Sequence, residues 1–147
     1  MAAREIEYLS VEDIIGIHDL ILETMSEPYA PLRDLGVLQG AIARPRNAAY
    51  YAGADLIRQA CILMVAIAEA QPFLEGNKRA GMVSGLAFLE RNGRQFAGDD
   101  ILLAVLLVGA SGTSQEQAVD DIDTWIRPFL TWIRPFLDPL PTSEIRP

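Results

Sequence analysis

The segment QPFLEGNKR, residues 71–79, lies between two apolar helical patterns near the middle of the chain. It combines a proline, an acid, a glycine, an amide and two cations. Because Pro72 stops the preceding helix and a new helical pattern starts at Asn77, the segment predicts a loop that opens a helix N-terminus. The first turn of a helix has unpaired N–H groups at the positive end of the helix dipole. The sequence therefore predicts an anion site, most simply for phosphate, with Lys78 and Arg79 as nearby cations.

Apolar residues recur at helical spacing on both sides of this segment, and no stretch alternates convincingly as a strand does. Residues 54–70 are apolar on nearly every side, which predicts a helix in the centre of a bundle. The helix after the segment is expected to end at Asn92 and Gly93. Gly81 and Gly85 lower its helix propensity, so we attribute them to close packing against a neighbour, the central helix being the simplest choice.

Four further helices complete an all-α prediction, with expected limits at residues 10–27, 34–43, 99–108 and 114–126. Ser10 with Asp13 resembles a capping box at the start of the first helix, and Ser114 with Gln117 predicts a capping box for the last. The second helix is expected to stop before Pro45. Residues 44–53 then form a loop, whose arginines and tyrosines either frame a pocket or serve as a solvated connector.

The composition indicates one globular domain without nucleic acid or membrane as partner. The chain has 147 residues, is 50% hydrophobic and has a net charge of −8, whereas binding to a phosphate backbone needs a basic surface. No apolar run reaches the roughly 18 residues of a membrane span. With no signal peptide in view, the expected location is the cytoplasm. The single Cys61 is expected to be buried and inert, and the single His18 to be a core-edge imidazole with one nitrogen hydrogen-bonded.

The C-terminal part contains the sequence TWIRPFL twice in succession, at residues 124–130 and 131–137. We predict a domain over residues 6–127 and an extension over residues 128–147, because Pro128 disfavours a continuing helix and the tail is rich in proline. The repeat is interpreted as a duplication or a cloning artefact. Trp132 and Phe136 are expected to be exposed.

Residues 71–79 resemble the signature of the Fic/Doc superfamily, His-x-Phe-x-(Asp/Glu)-(Gly/Ala)-Asn-(Lys/Gly)-Arg, at every position except the first. Upstream stretches at residues 8–13, 17–19 and 33–38 are similar to the death-on-curing (Doc) branch. The resemblance covers about residues 6–127. It implies a single-domain bundle of about six helices, with the motif loop at the N-terminus of a central helix.

The resemblance also implies that part of ATP is transferred to a hydroxyl of a target protein. It implies the following site residues: Glu75 for Mg²⁺, Gly76, Asn77, Lys78 and Arg79 for the nucleotide phosphates, Lys78 and Arg79 also in catalysis, and Phe73 to fix the loop. Carboxylates and phosphates suit Mg²⁺, and the arginine fork suits phosphate. Lys78, together with Met82, favours the Doc branch, in which the γ-phosphate is transferred, over AMP-transferring Fic proteins.

For the Doc branch the implied target is elongation factor Tu, and the implied inhibitor is a Phd-type antitoxin. The chain departs from the family at Gln71, where the histidine that serves as general base is expected. An amide cannot accept the proton near neutral pH, and loss of such a base costs about 10²–10⁴ in rate. A natural inactive member, a substitution introduced to permit expression, and a relocated mechanism stay open. The alternatives to a kinase are a nucleotide- or antitoxin-binding module without turnover and an AMP-transferase.

Overall fold

The computed structural model describes residues 5–28 and 30–133, and within them the chain forms six α-helices. In order these are α1 (Val11–Thr24), α2 (Leu35–Ala52), α3 (Leu56–Ala70), α4 (Asn77–Arg91), α5 (Asp100–Gly109) and α6 (Gln115–Ile126). Two short strands, β1 (Arg94–Phe96) and β2 (Leu130–Trp132), pair antiparallel. The predicted all-α class is confirmed, and the two-stranded ribbon is a small addition that the sequence pattern did not reveal. No helix in this part of the chain is both long and apolar enough to cross a membrane.

Helix α3 lies at the centre of the bundle, as its all-round apolar sequence predicts, and packs against α2, α4 and α6. Its contact with α4 depends on two glycines. A Cβ atom at Gly81 would lie 2.6 Å from the backbone oxygen of Met64, and one at Gly85 would lie 2.3 Å from the Met64 Cγ atom. At Gly81 the two backbones approach too closely for a side chain, and at Gly85 the Met64 side chain occupies the space, which confirms the packing interpretation of both glycines.

Side-chain caps fix most of the helix starts. Ser10 and Asp13 form the predicted reciprocal capping box of α1. Asp34, Asp55 and Asp99 each accept a hydrogen bond from a backbone N–H in the first turn of α2, α3 and α5, respectively. At α6 only half of the predicted capping box is present: Ser114 accepts from the N–H of Gln117, whose side chain donates to Asp121 instead of returning to the cap. The Gln117 side chain is therefore committed to an (i, i+4) hydrogen bond with the carboxylate one turn ahead.

The prediction that the second helix stops before Pro45 was wrong. Helix α2 continues through Pro45 to Ala52 and ends at Gly53, which has φ +66°. Proline removes one helical hydrogen bond, but Pro45 is buried with Leu38 and Ala41 on the face of α2 that packs against α3. We attribute the continuation to that tertiary burial. The tyrosines at positions 50 and 51 consequently lie on the last turn of a helix, where both are exposed, and not in a loop.

The two copies of TWIRPFL begin in different conformations. Thr124–Ile126 end helix α6, whereas Thr131 and Trp132 belong to β2. In the ribbon Leu130 lies opposite Phe96 and is buried, while Trp132 lies opposite Arg94 and is 40% exposed, as predicted. Residues 134–147, including Phe136, lie outside the described part of the chain. The boundary at residue 127 stays a prediction, although residues 130–132 pair with the preceding part of the fold.

Candidate functional site

Residues 71–76 form the loop between α3 and α4, and the α1–α2 connection holds this loop from outside. Leu32 and Phe73 form an isolated antiparallel bridge. Leu74 donates its N–H to the carbonyl of Pro31 (3.2 Å). Arg33 donates its N–H to the carbonyl of Pro72 (2.6 Å). The loop is therefore fixed by strand-like hydrogen bonds to a segment that lies about 40 residues earlier in the chain.

Arg33 also completes the C-terminal end of helix α3. Its Nε donates to the carbonyl of Gln71 (2.7 Å) and its Nη2 to that of Ala70 (3.0 Å). The last carbonyls of a helix have no partner within the helix, and a cation is favoured at that end of the dipole. Gln71 itself ends the helix with φ +53°, in the left-handed region that glycine usually occupies. The backbone turns at this residue, and its exposed side chain lines the cleft described below.

Phe73 and Asn77 brace the loop from within. Phe73, to which the resemblance assigns the fixing of the loop, is 1% exposed. The Asn77 side chain receives the Phe73 N–H on Oδ1 and donates from Nδ2 to the Phe73 carbonyl, both at 2.9 Å. Both ends of the amide are thus engaged with the loop backbone. The side chain of Asn77 holds the loop in shape, which leaves its backbone N–H, in the first turn of α4, for an anion.

His18 of α1 lies beneath the same loop. It is 1% exposed and stacks on Phe73, with ring centroids 3.7 Å apart and an angle of 7° between the planes. Its Nε2 lies 2.7 Å from the carbonyl oxygen of Glu75. The predicted core imidazole with one satisfied nitrogen is confirmed. Because this ring is enclosed and already bonded to the loop, it is not placed to replace the histidine that the family signature has at the position of Gln71.

An open cleft of about 440 Å³ lies over the start of α4. Gln71, Glu75, Gly76, Asn77, Lys78 and Arg79 line it, together with Leu22, Glu27 and Ala68. Gly76 is the N-cap of α4 with φ +81°, and no side chain of the described residues caps this helix end. The structure therefore brings together, around one uncapped helix N-terminus, every residue that the sequence singled out for phosphate or metal. Phe73, which the resemblance assigns to fixing the loop, is buried and does not line the cleft.

The two cations of the motif differ in their surroundings. Lys78 Nζ lies 3.6 Å from a carboxylate oxygen of Glu69, which is on the last turn of α3. Arg79 is exposed and forms no ion pair within residues 5–28 and 30–133. An anion that enters the cleft meets Arg79 directly, whereas it has to compete with Glu69 for Lys78. Arginine is suited to this position because its planar fork binds two phosphate oxygens at once.

Glu27 is a cleft residue that the sequence did not reveal. Helix α1 ends with Ser26 in the left-handed region (φ +55°), and the N–H of Glu27 returns to the carbonyl of Leu22 (2.9 Å). This is the Schellman arrangement, normally built on glycine. Glu27 then lines the cleft, as Glu75 does, so two acidic residues line it. The signal in the sequence was slight, because Ser26 gives no indication that it adopts a positive φ.

No group of three or more His, Cys, Asp or Glu side chains suited to holding a metal occurs in the described residues. Mg²⁺ does not require such a group, since it retains water and is commonly held by one or two carboxylates together with substrate phosphates. Glu75, with Glu27 in the same cleft, fits that mode of binding.

A second charged cluster lies between α3 and α6, and none of its members lines this cleft. Arg127 forms ion pairs with Asp123 and with Asp55, the latter at 2.9 Å. These hydrogen bonds raise the pKa of Arg127, and the bond from Arg127 contributes most to lowering the pKa of Asp55. Cys61 lies nearby in the core, where burial raises the pKa of its thiol. The prediction of a buried Cys61 is confirmed, and its environment suppresses the reactive thiolate.

The described residues define an all-α bundle in which an open cleft lies over the start of a helix packed on the central one. Comparison with known proteins agrees with this class. The chain belongs to the Fic/DOC family, whose model matches residues 8–89, from before α1 to near the end of α4. Over 110 residues it is 33% identical to the protein kinase doc of Escherichia phage P1, which covers 71% of this chain and 82% of that protein. It is also 32% identical over 97 residues to the toxin Doc of Mycolicibacterium smegmatis, and this match covers 63% of this chain and 70% of that protein.

Proposed function

We propose that this protein is the toxin of a toxin–antitoxin pair and that its site is built to transfer the γ-phosphate of ATP to a hydroxyl of a target protein. The observation that carries the proposal is the cleft, in which Glu75, Lys78 and Arg79 surround an uncapped helix N-terminus. The names of the two relatives, a protein kinase and a toxin, support it. By resemblance the target is elongation factor Tu, the outcome is arrest of translation in the cytoplasm, and a Phd-type antitoxin is the inhibitor.

The residues of the cleft fit ATP with Mg²⁺. Phosphoryl transfer depends mainly on positioning and charge neutralisation, which an anion loop and cations supply. Glu75 would hold the metal, and the N–H groups of Gly76 and Asn77 would receive phosphate oxygens. Arg79 would bind the phosphate group directly. When bound, Mg²⁺ neutralises charge on the phosphates.

The proton of the target hydroxyl is where this chain differs. In the transfer, the hydroxyl oxygen forms a bond to the γ-phosphorus as the bridging bond to ADP breaks, and a base must take the hydroxyl proton. Gln71 stands at the position of that base and lines the cleft, but its amide has no useful proton affinity. We therefore propose that the chain binds nucleotide and turns over about 10²–10⁴ times more slowly than a variant with the base restored.

A second candidate function follows from the same residue. If the site no longer catalyses transfer, as Gln71 at the position of the base would suggest, the protein is a binding module that holds a nucleotide or an antitoxin without turnover. Transfer of AMP is the third possibility. Two observations distinguish these candidates: which phosphate of ATP is transferred, and whether a histidine at position 71 produces activity.

The test compares the native chain, Gln71→His and Gln71→His combined with Arg79→Ala, each incubated with Mg²⁺ and purified elongation factor Tu. Label from γ-³²P-ATP on the factor, gained by Gln71→His and lost again with Arg79→Ala, supports the kinase. Gln71→Leu is the control for a change of side chain without a base. Label from α-³²P-ATP indicates AMP transfer. Nucleotide binding without label in any variant would leave the binding module as the function.

A further inference from the structure

We infer that His18 is a positioning residue for the anion site: it turns the peptide between Glu75 and Gly76 so that the Gly76 N–H faces the cleft. The inference deepens the proposed function, on which its nucleotide measurement rests. The geometric part of it does not depend on what the cleft binds.

The first step concerns the hydrogen bond. A carbonyl oxygen carries no proton, so at 2.7 Å the Nε2 atom of His18 must be the donor and the Glu75 oxygen the acceptor. The ring cannot swing away from this bond, because it is 1% exposed and lies flat against Phe73 at 3.7 Å. The Glu75 carbonyl is therefore held toward His18, a residue that does not line the cleft.

The second step follows from the planarity of the peptide bond. In a trans peptide the C=O and the following N–H point in opposite directions. The Glu75 carbonyl points to His18, so the N–H of Gly76 points away from His18. Because Gly76 lines the cleft and His18 does not, we take the N–H to face the cleft. Gly76 precedes the first turn of α4, so this N–H joins the unpaired donors of that turn.

The glycine that contributes the N–H of this peptide supports the same conclusion. Gly76 has φ +81°, and a Cβ atom at that position would lie 3.3 Å from Nε2 of His18. The backbone therefore approaches the imidazole closely as well as adopting a left-handed conformation. Glycine meets both requirements, and the second exists only because His18 is there.

The other ring nitrogen of His18 indicates that this residue does more than fill space in the core. Nδ1 is buried and has no hydrogen-bond partner among the described residues, the nearest carboxylate oxygen, of Asp19, being 3.9 Å away. A buried polar atom without a partner is unfavourable, and a leucine or phenylalanine would fill the space without it. The bond from Nε2 to the loop is what an apolar residue could not replace.

The test uses two replacements in the full chain. His18→Gln can place an amide N–H near the position of Nε2, whereas His18→Phe keeps an aromatic ring against Phe73 but has no donor. Phe88→Leu, in the core about three turns further along α4, is the control for a loss of stability away from the loop. Hydrogen–deuterium exchange of residues 74–79 and the Kd for Mg-ATP are measured for each protein.

In His18→Phe we expect faster exchange of residues 74–79 and an approximately 3–10-fold higher Kd. This range corresponds to the net free energy of one lost hydrogen bond. His18→Gln is expected to stay within about 2-fold of the native Kd, and Phe88→Leu to leave the loop unchanged. Native exchange and affinity in His18→Phe, or a glutamine variant no better than phenylalanine, would overturn the inference. If the native chain binds no nucleotide, the proposed function fails, and the exchange of residues 74–79 still decides whether His18 positions the loop.

Discussion

Replacement of Gly76 by alanine tests how much of this site depends on one backbone position. Two costs are expected. An alanine at φ +81° is in the left-handed region, which is unfavourable by about 1–2 kcal/mol for a residue with a Cβ atom. The new Cβ would also lie 3.3 Å from His18 Nε2, so either the imidazole or the loop has to move. Displacing the ring weakens its hydrogen bond to Glu75, which is worth about 0.5–1.5 kcal/mol net.

The chain contains a matched control for the first of these costs. Gly53, which ends α2, has φ +66°, and a Cβ atom there would meet nothing within 4 Å. Gly53→Ala therefore measures the left-handed conformation alone. Gly76→Ala should lower the free energy of unfolding by more, with an excess on the order of 1 kcal/mol due to the contact with His18. The measurement is urea denaturation of both variants, read as the shift in midpoint at constant slope.

The excess should also disappear when the histidine is removed. In a His18→Ala background no ring opposes the new Cβ, so Gly76→Ala should cost no more than Gly53→Ala. The native protein, the two single variants Gly76→Ala and His18→Ala, and the double variant form a double-mutant cycle. Replacements of residues in contact are expected to have non-additive effects on stability. Equal destabilisation by the two glycine replacements in the native background would refute the reasoning, and so would an excess that persists without His18.

Three further predictions concern other parts of the structure. Asn77→Ala removes both hydrogen bonds to Phe73 and should lower the free energy of unfolding by about 1–3 kcal/mol in denaturation experiments; an effect confined to nucleotide affinity would contradict the bracing role. The pKa of Asp55 is lower in the folded state, so its contribution to stability is present above its unfolded pKa of about 4 and is lost as the pH falls through the folded value. Arg127→Met should therefore flatten the decline in stability between about pH 5 and 2, which thermal unfolding at each pH measures. An unchanged dependence of stability on pH in this variant would contradict the prediction. Leu130→Ala, in β2, should destabilise the fold by about 2–3 kcal/mol because the side chain is buried, whereas native-like stability would favour a domain that ends at residue 127.

The sequence predicted those features of the fold that depend on local chemistry. Ser10 and Asp13 cap α1 through groups only three residues apart, and the glycines of α4 indicated close packing because each lowers the helix propensity. It failed where distant residues decide. Pro45 has an unfavourable local propensity, which burial against α3 overrides.

The repeated segment illustrates the same limit within one chain. Thr-Trp-Ile is helical at residues 124–126 and extended where its copy begins at Thr131. The local sequence is identical, so its propensity cannot account for the difference. In the first copy the apolar face of α6 is buried in the bundle, whereas Leu130 and Trp132 pair with β1. Tertiary contacts therefore assign the secondary structure.

For the candidate site, the sequence by itself determined the motif: the acid, the glycine, the cations and the absence of a histidine at Gln71 are all read from adjacent residues. It also placed them at the start of a helix, because Pro72 and the apolar periodicity fix that boundary. Only the tertiary structure decided what holds the loop and what else faces the cleft. His18, Glu27 and Arg33 lie far from the motif along the chain and reach it through helix packing and backbone turns, which no local pattern in the sequence encodes.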